Sequence, residues 1–327
     1  MVGVAAVVVW WARLCEIRRV PGLSRRGWVR VAAASLTLAG CRGQGTRTPT
    51  GAPTQAPTLS EARLFAAPGG AAQGVPQLLS AMAASDVVLI GELHEHPLGL
   101  GLAATLFEQL LASPAGEKAA LCLESLTRDQ QGAVDAYLRG ETSEAAFRKA
   151  AQLEGDRSYP PGHRRMVEAA KRKGRPVIAA NTARALVKRA RLEGLEPLRS
   201  LPPEQQAWVD VPAALTEGEY RAGFLALMGG HGGVDAATME GFFRAQNVWD
   251  ATMAGSIVRA LTAGMRPVVQ VVGSFHVDGA GGLYQRVREG APEARVWRMS
   301  MVAEAAEQLR VEDSERGDVV AYVGGAG

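Results

Sequence analysis

Short apolar runs recur along this chain, each closed by polar residues and followed by an amphipathic stretch. The runs predict strands at 87–94, 119–125, 176–181, 267–276, 294–301 and 319–323. Between them, helical periodicity covers 97–112, 127–139, 143–154, 162–174, 183–192, 216–228, 237–263 and 280–290. Continuously apolar strands separated by helices imply an α/β fold: a mostly parallel central sheet flanked by helices on both faces. Gly116, Gly174 and Gly264 each stand just before a strand, where a helix is expected to end on a left-handed residue. Pro160-Pro161, Pro202-Pro203 and the glycine-rich stretch 229–233 mark loops. The region 193–235 is the least regular and is expected to form a helical cap over the sheet.

Before residue 61 the pattern changes. Arg25 and Arg26 precede an apolar run that ends at Cys41, with small residues at the junction. This is the form of a secretory signal over 1–40; the run is shorter than the roughly 20 apolar residues a membrane span needs. Leu38-Ala39-Gly40-Cys41 resembles the bacterial lipobox, which makes Cys41 the expected lipidation site. Ser24-Arg25-Arg26-Gly27-Trp28-Val29 resembles a twin-arginine export signal. A second apolar patch covers residues 1–15, so the leader is either unusually long or begins downstream of Met1. Residues 41–60 hold Pro, Thr, Gly and Gln with few large apolar side chains, a composition that suits a flexible tether. The expected organisation is a leader (1–40), a lipidated tether (41–60) and one α/β domain (61–327), anchored by lipid in the cell envelope. Arg42 after the lipidated cysteine resembles outer-membrane sorting, facing the periplasm or the surface.

Composition narrows the function. The 327 residues are 47% hydrophobic and 21% charged with a net charge of +3, ordinary values for a globular protein. Arginines cluster before and just after Cys41, so the domain is near neutral. No basic stripe suggests nucleic-acid binding. The Lys171-Arg172-Lys173-Gly174-Arg175 run reads as a solvated helix end rather than a binding patch. Cys122, within an apolar run, reads as a core residue rather than a nucleophile.

The informative residues follow the strands. The run at 87–90 ends in Gly91-Glu92-Leu93-His94-Glu95-His96, the run at 120–123 in Glu124-Ser125, the run at 177–180 in Asn181-Thr182, and the run at 268–272 in Gly273-Ser274-Phe275-His276. Ligands of open parallel sheets bind beyond the carboxyl ends of the strands, so these ends deliver carboxylates, imidazoles and an amide to one region. His94, His276, Glu92 and Glu124 form a plausible ligand set for a divalent metal such as Mn, Co or Zn. Glu92 and Glu124 could equally act as acid–base groups, and the cluster could be purely structural. Glu95 and His96 are placed to cap the next helix, and His231 to be solvated. On the helix at 237–263, Gln246, Trp249, Asp250 and Met253 share one face, either bordering a site or packing in the core with a buried Asp–Arg pair.

Gly91-Glu92-Leu93-His94, the Glu124 strand end, the segment ending at Asn181, residues 245–254 and Gly273-Ser274-Phe275-His276-Val277-Asp278-Gly279 resemble, in order, the ChaN-like haem-binding family. That family belongs to the Tiki superfamily, with relatives in the TraB and erythromycin-esterase groups. The resemblance spans about 75–300. It implies a lipid-anchored α/β protein of haem or iron uptake, binding haem at its surface on a homodimer contact with a tyrosine as iron ligand. His163 stands where the family carries that tyrosine, and Tyr159 lies just upstream. Either is therefore a candidate iron ligand, with Asn181, Gln246 and Asp250 as further cofactor-binding candidates. Metal-dependent proteases of the superfamily also carry two Gly-x-x-His motifs. By that resemblance His94 and His276 would hold a metal, with Glu92 or Glu124 as ligand or base and a metal-activated water attacking an ester or amide.

Overall fold

The computed structural model describes residues 59–67, 69–153, 155, 158–229, 234–279 and 281–325. The expected leader, Cys41, nearly all of the tether and His231 lie outside the described residues. Among the described residues one sheet is formed by β1 (Arg63–Ala66), β2 (Ala72–Gln73), β3 (Val87–Glu92), β4 (Ala120–Thr127), β5 (Val177–Asn181), β6 (Val268–Gly273), β7 (Val296–Val302) and β8 (Val319–Tyr322). Their order is β2-β1-β8-β7-β3-β6-β4-β5. The run from β8 to β5 is parallel, and β1 and β2 extend it antiparallel.

All six predicted strands are present, and the apolar runs explain why. Every residue of β3 and β6 is buried. Alternate side chains enter opposite cores: Val88, Ile90, Val269 and Val271 enter one, Val87, Leu89, Val268 and Val272 the other. Each fully buried side chain of this kind contributes about 1.5–3 kcal/mol relative to exposure.

The first core is closed by α1 (Val75–Ala83), α2 (Pro97–Ala112), α3 (Gln131–Leu138), α4 (Glu144–Ala150) and α5 (Pro161–Arg172). On the other face lie α6 (Arg184–Glu193), two short helices α7 (Glu196–Arg199) and α8 (Pro203–Gln206), α9 (Glu219–Gly229), α10 (Ala236–Thr262) and α11 (Gly282–Gly290). The irregular region thus resolves into short helices, of which α9 packs Tyr220 on Phe275 at the carboxyl end of β6. At the β5 edge the Gln131 side chain stands in for a neighbouring strand. Its amide donates to Val177 O at 3.0 Å and accepts from Ala179 N at 2.7 Å, which covers backbone groups that could otherwise template aggregation.

Several expectations need correction. β1, β2 and α1 have no counterpart among the predicted elements. Gly174 and Gly264 are left-handed as expected, with φ of 60° and 83°. Gly116 instead permits a close approach, since a Cβ there would meet Leu110 O at 2.5 Å. β3 stops at Glu92 and β6 at Gly273, earlier than the apolar pattern suggested, because the chain turns there. Glu95 takes a φ of 64° in the first of these turns, and His96 caps α2 by accepting the Gly99 N–H at 3.2 Å.

Candidate functional site

Each Gly-x-x-His segment opens with a glycine that admits the other segment. A Cβ on Gly91 would lie 2.9 Å from Ser274 Cα, and one on Gly273 would lie 2.9 Å from His94 Nε2. The pairing of β4 with β5 slips between Leu123 and Thr127, and Glu124 sits in that irregularity, a common device for re-aiming a side chain.

The side chains delivered there form two linked carboxylate–imidazole groups. Glu92 Oε1 lies 3.0 Å from His94 Nδ1, and its Oε2 lies 2.6 Å from His163 Nε2, carried in from α5. His276 Nδ1 lies 2.5 Å from Asp250 Oδ1, and its Nε2 stands 3.5 Å from Glu124 Oε1. Glu124 Oε2 accepts the Gly273 N–H at 2.8 Å. Tyr220 donates its hydroxyl to Asp250 Oδ2 at 2.5 Å, and Gln246 Nε2 donates to Tyr220 Oη at 3.2 Å. Glu92, Glu124, His163, His276, Gln246 and Asp250 are all buried.

Burial alone would raise the carboxyls and lower the imidazoles. The pairing reverses both effects. His163 and His94 hold Glu92 far below the usual carboxylate range. His276, His94 and the Gly273 amide hold Glu124 down as well. Glu92 and Glu124 keep the His94 imidazole protonated above its ordinary value. Asp250 and Glu124 push His276 up to about 10. At neutral pH His276 is therefore an imidazolium seated between two carboxylates, which is no state for a general base.

The sequence-predicted residues separate into groups. His94, His163, His276, Glu92, Glu124, Asp250 and Gln246 come together. Asn181 borders them, donating to Glu124 O at 3.1 Å and accepting the Thr182 N–H at 2.8 Å, so its amide joins the ends of β4 and β5. His96 stands apart, bonded to Gly324 O at 3.0 Å. The expected metal site is not supported. No group of three His, Cys, Asp or Glu side chains among the described residues could hold a metal ion. A metal needs lone pairs aimed at one point, whereas these imidazoles and carboxylates face one another. The metal-activated water goes with it. Asp250 pairs with His276 and Tyr220 rather than with an arginine. Tyr220, in the irregular region, carried no sequence signal. Cys122 is buried, with its thiol pushed up by burial, as expected of a core residue.

Tyr159 lies elsewhere, on a cleft of about 830 Å³ beside α4 and α5. Its ring is only 2% exposed, and among the described residues its hydroxyl has no hydrogen-bond partner. Phe147 packs edge-on against it at 5.9 Å and stacks on Tyr137 at 4.8 Å. The Arg148 guanidinium lies 5.7 Å from the Tyr159 ring centre. Burial, with Tyr137 and the nearby carboxylates, pushes the Tyr159 hydroxyl well above its ordinary value. Arg164, Arg165, Arg172, Glu108, Glu144 and Glu168 line the rest of the wall. These cleft arginines were invisible as a group in the sequence, where Arg172 read as part of a solvated run. His163 does not line this cleft.

The fold and the strand-end cluster define an α/β protein with a parallel sheet and a polar crevice at its carboxyl edge. The chain belongs to the haem-binding uptake family of the Tiki superfamily, ChaN, whose model matches residues 78–287. Among solved structures it is similar to ChaN of Campylobacter jejuni with cofacial haem, at 14% identity and a TM-score of 0.61, covering 80% of this chain and 96% of that one. It is more distantly similar to the type III effector HopBA1, at 15% identity and a TM-score of 0.43, with 81% and 97% covered. An erythromycin esterase mutant in its open conformation follows at 13% identity and 0.45, with 73% and 77% covered. The likeness to ChaN is one of fold. No curated protein matches the chain in sequence.

Proposed function

We propose that this protein binds haem, and that the cleft beside Tyr159 receives it while the strand-end cluster holds the sheet ends together. The carrying observation is the Tyr159 hydroxyl, buried beside the cleft and without a hydrogen-bond partner among the described residues. A buried hydroxyl without a partner is costly, and tyrosine is an established haem iron ligand. Haem in this cleft would supply a ferric centre whose positive charge suits a phenolate oxygen. Phe147 packs behind Tyr159, and the cleft volume of about 830 Å³ lies within the range of small-molecule sites, about 300–1,000 Å³. Family membership supports the same ligand. Of the two candidate iron ligands, Tyr159 is favoured because it lines the cleft, whereas His163 does not and places its Nε2 2.6 Å from Glu92 Oε2.

Haemin titration of the purified protein tests this reading. The expected result is a saturable Soret band that is lost in Tyr159→Phe and kept in His163→Gln. Absence of the band in the unaltered protein, or its persistence in Tyr159→Phe, would overturn the proposal.

Export, lipidation of Cys41 and a place in the outer membrane rest on the N-terminal sequence and belong to the same proposal. Labelled palmitate should enter the protein and be excluded by Cys41→Ser. A role in haem or iron uptake predicts that cells lacking the protein grow poorly on haemin as sole iron source. A homodimer predicts a doubled sedimenting mass when haemin is present.

A further inference from the structure

A surface helix usually packs one apolar side inward and wets a polar one, whereas a helix that is apolar all round belongs in a core or in a membrane. α9 is apolar on both sides and lies at the surface. Tyr220, Phe224 and Met228 pack inward, into the core that also holds Phe243 and Trp249. The opposite side carries Ala222, Gly223, Leu225, Ala226 and Gly229, all exposed. Residues 222–234 contain no Asp, Glu, Lys or Arg. Among the described residues four large apolar side chains are exposed: Leu192, Leu225, Val234 and Val311. Leu192 stands between Arg191 and Glu193, and Val311 between Arg310 and Glu312; single apolar residues in a charged setting need no explanation. Leu225 and Val234, 41% and 37% exposed, both belong to the uncharged stretch. Such a stretch is too short to span a bilayer but has the length of an interfacial segment. No helix among the described residues is long and apolar enough to cross a membrane.

The position of α9 points to what covers it. The helix sits beyond the carboxyl end of β6, where Tyr220 stacks on Phe275 at 5.1 Å. The first described residues lie at the same edge of the sheet. Arg63, at the start of β1, pairs with Tyr322, the last residue of β8, and β8 runs parallel with β7, β3 and β6. Four strand spacings separate β1 from β6, about 19 Å at ~4.8 Å each. Seventeen residues lie between Cys41 and Leu59, a chain that spans at most about 60 Å. A lipid on Cys41 thus keeps the carboxyl edge, and α9 with it, within reach of the leaflet that holds the lipid.

We infer that the outer face of α9 seats in the acyl region of the phospholipid leaflet to which Cys41 is anchored. This rests on the lipid anchor proposed above and adds an orientation, which a lipid on a long segment does not fix. Seating α9 turns the carboxyl edge of the sheet, with its strand-end cluster, toward the membrane. The face needs little affinity of its own, because the anchor keeps the local concentration of lipid high.

Full-length protein taken from the membranes of producing cells and reconstituted in phosphatidylcholine vesicles tests the inference. This lipid has no net charge, so basic residues gain nothing from it. Part of the lipid carries a photoreactive diazirine on its acyl chain, and the adducts are mapped by mass spectrometry. Flotation with the vesicles reads the anchor; the position of the adducts reads the face. Adducts are expected within 222–229 and not at 171–175, which precede β5 at the opposite edge of the sheet. Ala226→Glu alters only exposed surface and should lose the adducts while flotation persists, because an unpaired carboxylate does not enter hydrocarbon. Ala226→Leu should keep them. Flotation without adducts on α9, or adducts that survive Ala226→Glu, would overturn the inference and leave the anchor standing. Failure of the unaltered protein to float would sink both.

Discussion

The strand-end cluster and the cleft meet at the amino end of α5, where Tyr159 and Pro161 line one and His163 belongs to the other. In the cluster, most buried carboxylate and imidazole atoms answer one another: Glu92 holds two histidines, and His276 sits between Asp250 and Glu124, while Glu124 Oε1 and His163 Nδ1 have no hydrogen-bond partner among the described residues. In the cleft, among the described residues, a phenol has no hydrogen-bond partner and two guanidiniums have no ion pair. Groups that mostly pair with one another in the interior hold a structure together. Unmet capacity beside open space marks groups that await a ligand. Both regions are rich in polar residues, so composition alone does not tell them apart.

The sharpest way to break this contrast is Asp250→Ala. It strands the His276 imidazolium and the Tyr220 hydroxyl in the interior, and removing one partner of a buried pair costs about 3–5 kcal/mol. Urea unfolding should show a loss of that size. A loss below about 1 kcal/mol would mean the cluster is not structural.

Next comes pH. The His276 imidazole is raised from its ordinary value to about 10, so its contribution is complete below about 6.5 and is lost as pH rises through about 10. Glu92 and Glu124 are lowered, so theirs is complete above about 4.5 and is lost as pH falls through their depressed values. Stability should therefore decline on the alkaline side, and His276→Gln should flatten that limb. An unchanged alkaline limb in the variant would remove His276 from the account.

A smaller effect is expected of Gly273→Ala, whose new methyl would press on His94 Nε2. Overpacking of this kind costs about 1–3 kcal/mol, and chemical denaturation measures it directly. The smallest belongs to the cleft: Tyr159→Phe removes a hydroxyl without partners and should leave stability within about 1 kcal/mol of the original while abolishing haem binding. A large loss of stability there would turn Tyr159 into a structural residue and reverse the comparison.

The parallel strands and the long helices are legible in the sequence because apolar continuity and helical periodicity are local signals. β1 defeats that reading: it is four residues long and forms only by pairing with β8, near the other end of the described chain. The strand ends are legible as places where carboxylates and imidazoles gather. Their partners are not. Glu92 meets His163 across 71 residues and Glu124 meets the Gly273 amide across 149.

By itself, then, the sequence determined the α/β class, the parallel strands and which residue types stand at their ends, since each of these follows from neighbours along the chain. Only the tertiary structure decided that His163 turns inward to Glu92 while Tyr159 lines a cleft, and that the imidazoles and carboxylates of the strand ends face one another. Those outcomes depend on sheet order and helix crossings, where the free energy of a buried charge is set by groups distant in sequence and adjacent only after folding.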